Sequence, residues 1–201
     1  MNHQTKLSII EPEVRPTRSE AEAAVKLLLA WAGDDPEREG LLDTPKRVVK
    51  AFEEYFQGYA QEPEDVLNRS FNEVSGYDDM VLLKDIRFES HCEHHMAPII
   101  GKAHVAYVPQ DAVVGISKLA RLVDLFAKRL QIQERMTADI AQSLDRVLEP
   151  KGAAVMIEAE HGCMSCRGVH KDGVSMVTKT LTGVFKDDQN FRRAFLDAIQ
   201  G

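Results

Sequence analysis

The chain has 201 residues, of which 44% are hydrophobic and 28% are charged, and its formal net charge is −7. This length can bury the core of one compact domain, and the acidic balance argues against a protein that binds nucleic acid or anionic membranes, because those functions need a basic surface. No apolar run approaches the roughly 20 residues of a membrane-spanning helix, and the start of the chain lacks the pattern of a secretory signal. Three cysteines are too few for a disulfide framework, so we expect a reduced, cytoplasmic protein.

The first part of the chain is predicted to be a tail followed by helices. Residues 1–18 are polar and contain two prolines, which is typical of a flexible N-terminal tail. Ser19 with Glu22 three residues later forms a capping-box pattern that predicts the start of a first helix. Thr44-Pro45 predicts the start of a second one, because proline fits the first helical position. We therefore expect residues 19–75 to form an N-terminal helical region. The apolar side of the first helix is predicted to consist of Ala24, Leu27, Leu28 and Trp31.

From Met80 onward the hydrophobic pattern indicates alternating strands and helices. Period-two alternation predicts four strands, at residues 80–89, 99–108, 153–160 and 175–185. Helical spacing predicts two helices in the middle, at residues 117–130 and 137–148, and one more at the C-terminus. The resulting β-β-α-α-β-β order predicts an α+β domain over residues 76–201, with an antiparallel sheet and helices on one face.

All three cysteines lie in two short segments that also contain histidines. These segments are His91-Cys92-Glu93-His94-His95 and His161-Gly162-Cys163-Met164-Ser165-Cys166-Arg167. Thiolates and imidazoles are the ligands that zinc prefers, and the spacings Cys92-x-x-His95 and Cys163-x-x-Cys166 let two side chains of one turn reach one ion. Each segment follows a predicted strand, and an antiparallel sheet can bring two strand ends together. The sequence therefore predicts a zinc site.

Three kinds of zinc site compete for these residues. A closed structural site would use Cys166 as a fourth ligand, but such sites usually occur in small domains that lack a core of their own. A cytidine-deaminase site would need a P-C-x-x-C motif after H-x-E, which is absent here. An open catalytic site keeps one position for water, and the extra polar groups Glu93, His94, His161 and Arg167 suit it. We therefore favour the open site, although a contact between Cys166 and the metal stays an alternative.

Four motifs, in this order along the chain, closely resemble GTP cyclohydrolase I of the zinc-dependent type, a tunnelling-fold family. They are Cys92-Glu93-His94-His95, Gly115-Ile116-Ser117-Lys118-Leu119-Ala120-Arg121, Gln131-Ile132-Gln133-Glu134-Arg135 and His161-Gly162-Cys163-Met164-Ser165-Cys166-Arg167-Gly168. The resemblance extends from about Leu42 to the C-terminus. It implies a tunnelling fold for the predicted α+β domain.

The resemblance also implies a reaction and the residues that perform it. Members of the family convert GTP and water into 7,8-dihydroneopterin triphosphate and formate, the entry step to folate-type pterins, and zinc activates the water that attacks C8 of GTP. Cys92, His95 and Cys163 match the zinc ligands. His94 matches the proton donor to the purine ring, and an imidazole can give or accept a proton near neutral pH. His161 and Ser117 match positions implicated in later proton transfers.

The same resemblance assigns the substrate contacts. Lys118, Arg121 and Arg167 match the phosphate-binding positions, and Lys50 and Arg47 of the second predicted helix are further candidates for them. Glu134 matches the residue that reads guanine, because a carboxylate accepts from both N1–H and the 2-amino group. Gln133 is its neighbour and is expected to assist.

The resemblance further implies a homo-oligomer, a decameric toroid with active sites between subunits. The acidic charge balance predicts no nucleic acid or membrane partner. Two other functions remain as alternatives. The nitrile reductase of queuosine synthesis has the same fold but uses a cysteine nucleophile and no zinc. A non-catalytic, zinc-stabilised assembly protein would bind the metal without turning over GTP.

Overall fold

The computed structural model describes residues 15–68, 70–71 and 76–200. These residues form two compact units, the first ending at Tyr55 and the second beginning at Phe56. Most of the predicted tail, residues 1–14, lies outside the described residues. The predicted division of the chain after residue 75 stays a prediction.

Eight α-helices and seven strands occur among the described residues. The helices are α1 (Arg18–Trp31), α2 (Thr44–Tyr55), α3 (Pro63–Leu67), α4 (Ile116–Ala127), α5 (Gln133–Leu148), α6 (Gly162–Ser165), α7 (Gly183–Asp187) and α8 (Gln189–Gln200). The strands are β1 (Ser70–Phe71), β2 (Val81–Cys92), β3 (Pro98–Val108), β4 (Val113–Val114), β5 (Leu130–Gln131), β6 (Gly152–His161) and β7 (Ser175–Leu181). Over the described part of the chain, no helix combines the length and the apolar character that crossing a membrane requires.

The first unit contains the pair of helices α1 and α2. The capping box of α1 is formed by Thr17 and Glu20, so the predicted box at Ser19 and Glu22 was wrong by two residues. The Thr17 hydroxyl accepts from the Glu20 backbone N–H at 3.3 Å, and the Glu20 carboxylate accepts from the Thr17 N–H at 2.8 Å. Threonine, like serine, caps a helix through its hydroxyl group, and Thr17 lies two residues before the predicted cap.

The predicted antiparallel sheet is confirmed, with the strand order β5-β2-β3-β6-β7. The three long pairings, β2–β3, β3–β6 and β6–β7, are all antiparallel. Strand β5 is an addition that the sequence did not predict, and it pairs in parallel with the end of β2. Two residues are too few to show an alternating pattern, which explains why periodicity did not indicate this strand.

The two middle helices pack on one face of this sheet, as predicted. Side chains of α4 and α5 form the main core with inward residues of β3 and β6, including Leu122, Ile140, Val105 and Val155. The other face is covered at one end by α7 and α8, through Phe185 and Phe195.

The end of the last strand and the start of α5 differ from the predictions. Phe185 was predicted in the last strand but lies in α7, because β7 ends at Leu181 and Gly183 turns the chain with a φ of +46°. Helix α5 begins at Gln133 rather than Thr137, so Gln133 and Glu134 lie in its first turn. The preceding residues are held in an extended conformation by β5, which fixes this earlier start.

A β-bulge interrupts β2 between Leu83 and Ile86. Asp85 at this bulge has a φ of +58°, in the left-handed region that residues other than glycine rarely adopt. Two contacts hold it there: its N–H donates to Nδ1 of His104 at 3.3 Å, and its carboxylate accepts from Lys102 Nζ at 2.9 Å. His104 is buried, and burial lowers its pKa below the ordinary value of 6.5.

We predict that His104 makes the protein less stable in acid. Because the folded state binds its proton less readily than the unfolded chain, this contribution to stability is present above pH 6.5 and is lost as the pH falls through the lowered pKa. His104→Asn keeps an acceptor for the Asp85 N–H and removes the titration. Urea-unfolding midpoints at pH 7.5 and 5.5 should therefore differ less in the variant than in the wild type. Equal pH dependence in the two proteins would contradict the prediction.

Candidate active site

The first cysteine–histidine segment forms a turn that the backbone ties at both ends. The N–H of Cys92 donates to the carbonyl of Ala97, and the N–H of Met96 donates back to the carbonyl of Cys92, both at 2.8 Å. The N–H of Glu93 donates to the carbonyl of Gln131 on β5 at 3.0 Å. These bonds fix the turn from which the two histidines project.

The second segment reaches the same edge of the sheet through β6. Strand β3 lies between β2 and β6 and is antiparallel to both, with Pro98 opposite His91 and Ile99 opposite His161. Both neighbouring strands therefore end beside the start of β3. The chain then enters α6, which carries Cys163.

The structure brings Cys92, His95 and Cys163 into a group that could hold a metal ion. Their ligand atoms all lie within 4.8 Å of one another. Cys92 is buried and Cys163 is half-buried, whereas Cys166 is exposed and is not part of this group. Burial raises the pKa of the Cys163 thiol, and the adjacent Cys92 raises it further. Two thiols and an imidazole in contact fit a metal that prefers sulfur and nitrogen ligands, because a cation would offset the repulsion between two thiolates.

His94 lies beside the group without belonging to it. Its Nδ1 is 3.7 Å from Sγ of Cys92, and its Nε2 is 3.8 Å from Oε1 of Glu93. Its side chain is 63% exposed, so a bound substrate could reach it. Arg167 donates to Nε2 of His95 at 3.0 Å, which places this predicted phosphate ligand at the same group.

The start of α5 contacts both segments of the site. Arg135 forms an ion pair with Glu93 of the first segment. Gln133 accepts through Oε1 from Nε2 of His161 at 2.8 Å, at the end of the second segment. Burial lowers the pKa of His161, and the nearby carboxylate of Glu134 opposes this shift. Sequence analysis did not assign the ion pair, because no spacing rule links residues so far apart in the chain.

Gln133 and Glu134, both predicted to contact the base, occupy different environments. Glu134 is exposed and available to a ligand. Gln133 is 1% exposed, and its amide already bonds within the chain. A base contact by Gln133 stays untested, and the structure gives its side chain other partners.

The remaining predicted residues lie elsewhere. Ser117, Lys118 and Arg121 are on the first two turns of α4, and the two cations line a cavity of about 420 Å³ together with Lys128 and Asp124. Among the described residues, no hydrogen bond or ion pair connects these three with the metal-binding group. Lys50 and Arg47 lie on α2 of the first unit. Their phosphate contacts stay predictions.

An α+β domain that places a cysteine–histidine metal-binding group beside the exposed His94 has the features of a metal-dependent enzyme. The family model described as GTP cyclohydrolase I matches residues 21–200. Proteins named GTP cyclohydrolase 1 from Brucella canis, Brucella abortus (strain S19) and Brucella suis biovar 1 are each 57% identical over 204 residues, which cover 99% of this chain and 96% of theirs. The chain therefore belongs to the GTP cyclohydrolase I family.

One solved structure is also similar to part of the chain. It is the archaeosine synthase QueF-Like in the apo form, with a TM-score of 0.44 and 22% identity over 52% of this chain and 94% of its own. The family assignment depends on the sequence matches alone, and it decides against the nitrile reductase alternative.

We predict that alanine at Cys92, His95 or Cys163 removes the bound metal, because each change leaves two of the three ligands in contact. Cys166→Ser is the matched control, since it changes an exposed thiol outside the group. Metal content per chain, measured on purified protein, should fall strongly in the first three variants and stay at the wild-type level in the control. Loss of metal from Cys166→Ser would instead indicate a closed site with four ligands.

Proposed function

We propose that this chain converts GTP and water into 7,8-dihydroneopterin triphosphate and formate, with a zinc ion held by Cys92, His95 and Cys163. The observation that carries the proposal is the grouping of these three side chains, whose ligand atoms lie within 4.8 Å of one another, in a member of the GTP cyclohydrolase I family. The test is incubation of the zinc-loaded protein with GTP, followed by oxidation and detection of a fluorescent pterin. A zinc-containing protein that forms no pterin and no formate would support the non-catalytic alternative.

Zinc, when bound, would supply a water molecule whose pKa is lowered to about 7, so that a nucleophile is available at neutral pH. The purine ring needs a proton as its imidazole ring opens, and His94 donates it from its exposed position beside Cys92. His161 and Ser117 transfer protons later, when the ribose rearranges and the pterin ring closes.

Cationic side chains bind the triphosphate in this proposal. Arg167 already lies at the metal-binding group, and guanidinium groups can bind phosphate oxygens in pairs. Lys118 and Arg121 line the cavity beside α4 and present their charges there. Lys50 and Arg47 of α2 are further ligands of the triphosphate in this proposal. Glu134 recognises guanine through its exposed carboxylate in the first turn of α5.

We also propose that the protein assembles into a homo-oligomer, a decameric toroid with composite sites. The apolar side of α1 supports an interface between copies, because Leu27, Leu28 and Trp31 are 71%, 62% and 84% exposed in the single chain. Among the described residues, no hydrogen bond or ion pair joins Lys118 or Arg121 to the metal-binding group, which is consistent with sites that combine residues of two subunits.

The first prediction of this proposal concerns His94. His94→Ala should keep zinc and bind GTP but fail to open the ring, because it removes a proton donor and no metal ligand. General acid–base catalysis contributes about 10²–10⁴ in rate, so formate release should slow by a factor in that range. Formate release at the wild-type rate would remove His94 from the mechanism.

Composite sites predict that inactive chains restore each other. Cys163→Ala lacks a metal ligand and Arg121→Ala lacks a phosphate ligand, so each alone should be inactive. After the two are dissociated, mixed and reassembled, some sites would combine the intact half of each chain and regain activity. Sedimentation that shows an active monomer would contradict the assembly.

Base recognition by Glu134 predicts the affinity order GTP, ITP, ATP. ITP lacks the 2-amino group and should lose about 1.5–3 kcal/mol, the value of one hydrogen bond to a charged group. ATP presents a bare N1 acceptor to the carboxylate, and such mismatches can reduce recognition by about 10⁴–10⁵. Glu134→Gln should reduce the difference in binding affinity between GTP and ITP, measured by calorimetry, and should leave the zinc content unchanged. Equal wild-type affinities for the three nucleotides would show that Glu134 does not read the base.

A further inference from the structure

The side-chain amide of Gln133 is buried and its orientation is determined by its surroundings. Its Nε2 is close to three acceptors, the carbonyl oxygens of Ile157 and Met176 at 3.1 and 2.9 Å and the Thr178 hydroxyl at 3.1 Å. An amide nitrogen has two N–H groups, and both are used here. The reversed amide would place its oxygen against two carbonyl oxygens, which cannot donate to it. The nitrogen therefore faces β6 and β7.

The hydroxyl groups next to this amide have a determined direction as well. The Thr137 hydroxyl donates to the carbonyl of Gln133 at 2.7 Å, which uses its only proton. Thr178 lies 2.6 Å from the Thr137 hydroxyl and must therefore donate to it. A lone pair of Thr178 is then left for the Gln133 amide. The donors therefore run in one direction, from the Gln133 amide N–H through Thr178 and Thr137 to the backbone carbonyl of Gln133, and the remaining polar atom of the side-chain amide is the acceptor Oε1.

This oxygen faces Nε2 of His161 at 2.8 Å. An amide oxygen only accepts, so Nε2 of His161 must carry the proton. A neutral imidazole has one protonated and one bare nitrogen, and Nδ1 is consequently the bare one.

We propose that Gln133 is a positioning residue that holds neutral His161 in the Nε2–H tautomer and so makes Nδ1 its proton acceptor. This inference rests on the proposed function, in which His161 transfers protons. It also gives Gln133 a role that requires no contact with the base. A histidine that presents the wrong tautomer cannot accept a proton at the required atom, as mutation of orienting groups in other enzymes illustrates.

The direct test is nitrogen NMR on the wild-type protein labelled with ¹⁵N-histidine. The His161 signals are assigned by their absence from His161→Asn, and the two neutral tautomers differ in which ring nitrogen carries the proton. We expect Nε2–H for His161. An Nδ1–H signal would overturn the proposal without any variant of Gln133. If His161 shows an Nε2–H signal but the protein does not turn over GTP, the tautomer is confirmed and only the proposed function is contradicted.

The catalytic consequence is tested with Gln133→Met. Gln131→Met is the matched control, because Gln131 is a similarly buried amide that donates to the Phe126 carbonyl at 3.0 Å. Both variants lose a buried amide, but only Gln133→Met should change the His161 tautomer. It should also lower kcat by about 10- to 100-fold, the usual loss for an orienting partner, with KM for GTP and zinc content nearly unchanged. A loss that falls entirely on KM would overturn the proposal in favour of a base contact.

Discussion

The site depends on the pairing of β3 with both β2 and β6. Because β3 is antiparallel to each of them, the two neighbours end at the same edge of the sheet, and each end carries one cysteine–histidine segment. The strands approach closely there, because a Cβ at Gly101 would clash with the backbone carbonyl oxygen of Glu158 on β6. A shift in this register would separate Cys92 from Cys163 and remove the metal-binding group.

Helix α5 connects the two halves of the site. Its first turn reaches the first segment through Arg135 and the second through Gln133. The same helix packs its apolar side against β6 and β7. Packing of the core therefore also positions the polar side chains of its first turn. The earlier start of α5, which β5 imposes, is what gives Gln133 and Glu134 fixed positions.

The paired thiols explain why a cation suits this site. Partial burial raises the pKa of the Cys163 thiol and the neighbouring Cys92 raises it further, so ionising Cys163 costs free energy. A metal ion that takes both as ligands offsets that cost with its own charge. His94 lies beside the group, with its Nδ1 3.7 Å from Sγ of Cys92, and His161 lies at the end of β6, two residues before Cys163.

The sequence by itself determined the elements that are long enough to show a hydrophobic period. It also indicated that the cysteines and histidines bind a metal. The four main strands and the two middle helices follow from local patterns, because periodicity acts over a few residues. Ligand spacing indicated a zinc site in the two cysteine–histidine segments, and the resemblance to GTP cyclohydrolase I implied Cys92, His95 and Cys163 as its ligands. Tertiary structure alone decided the short strand β5, the start of α5 and the bulge at Asp85, which depend on contacts far apart in the chain. It also decided that Gln133 faces His161, since the amide takes its orientation from backbone oxygens on two strands that no sequence pattern connects to it.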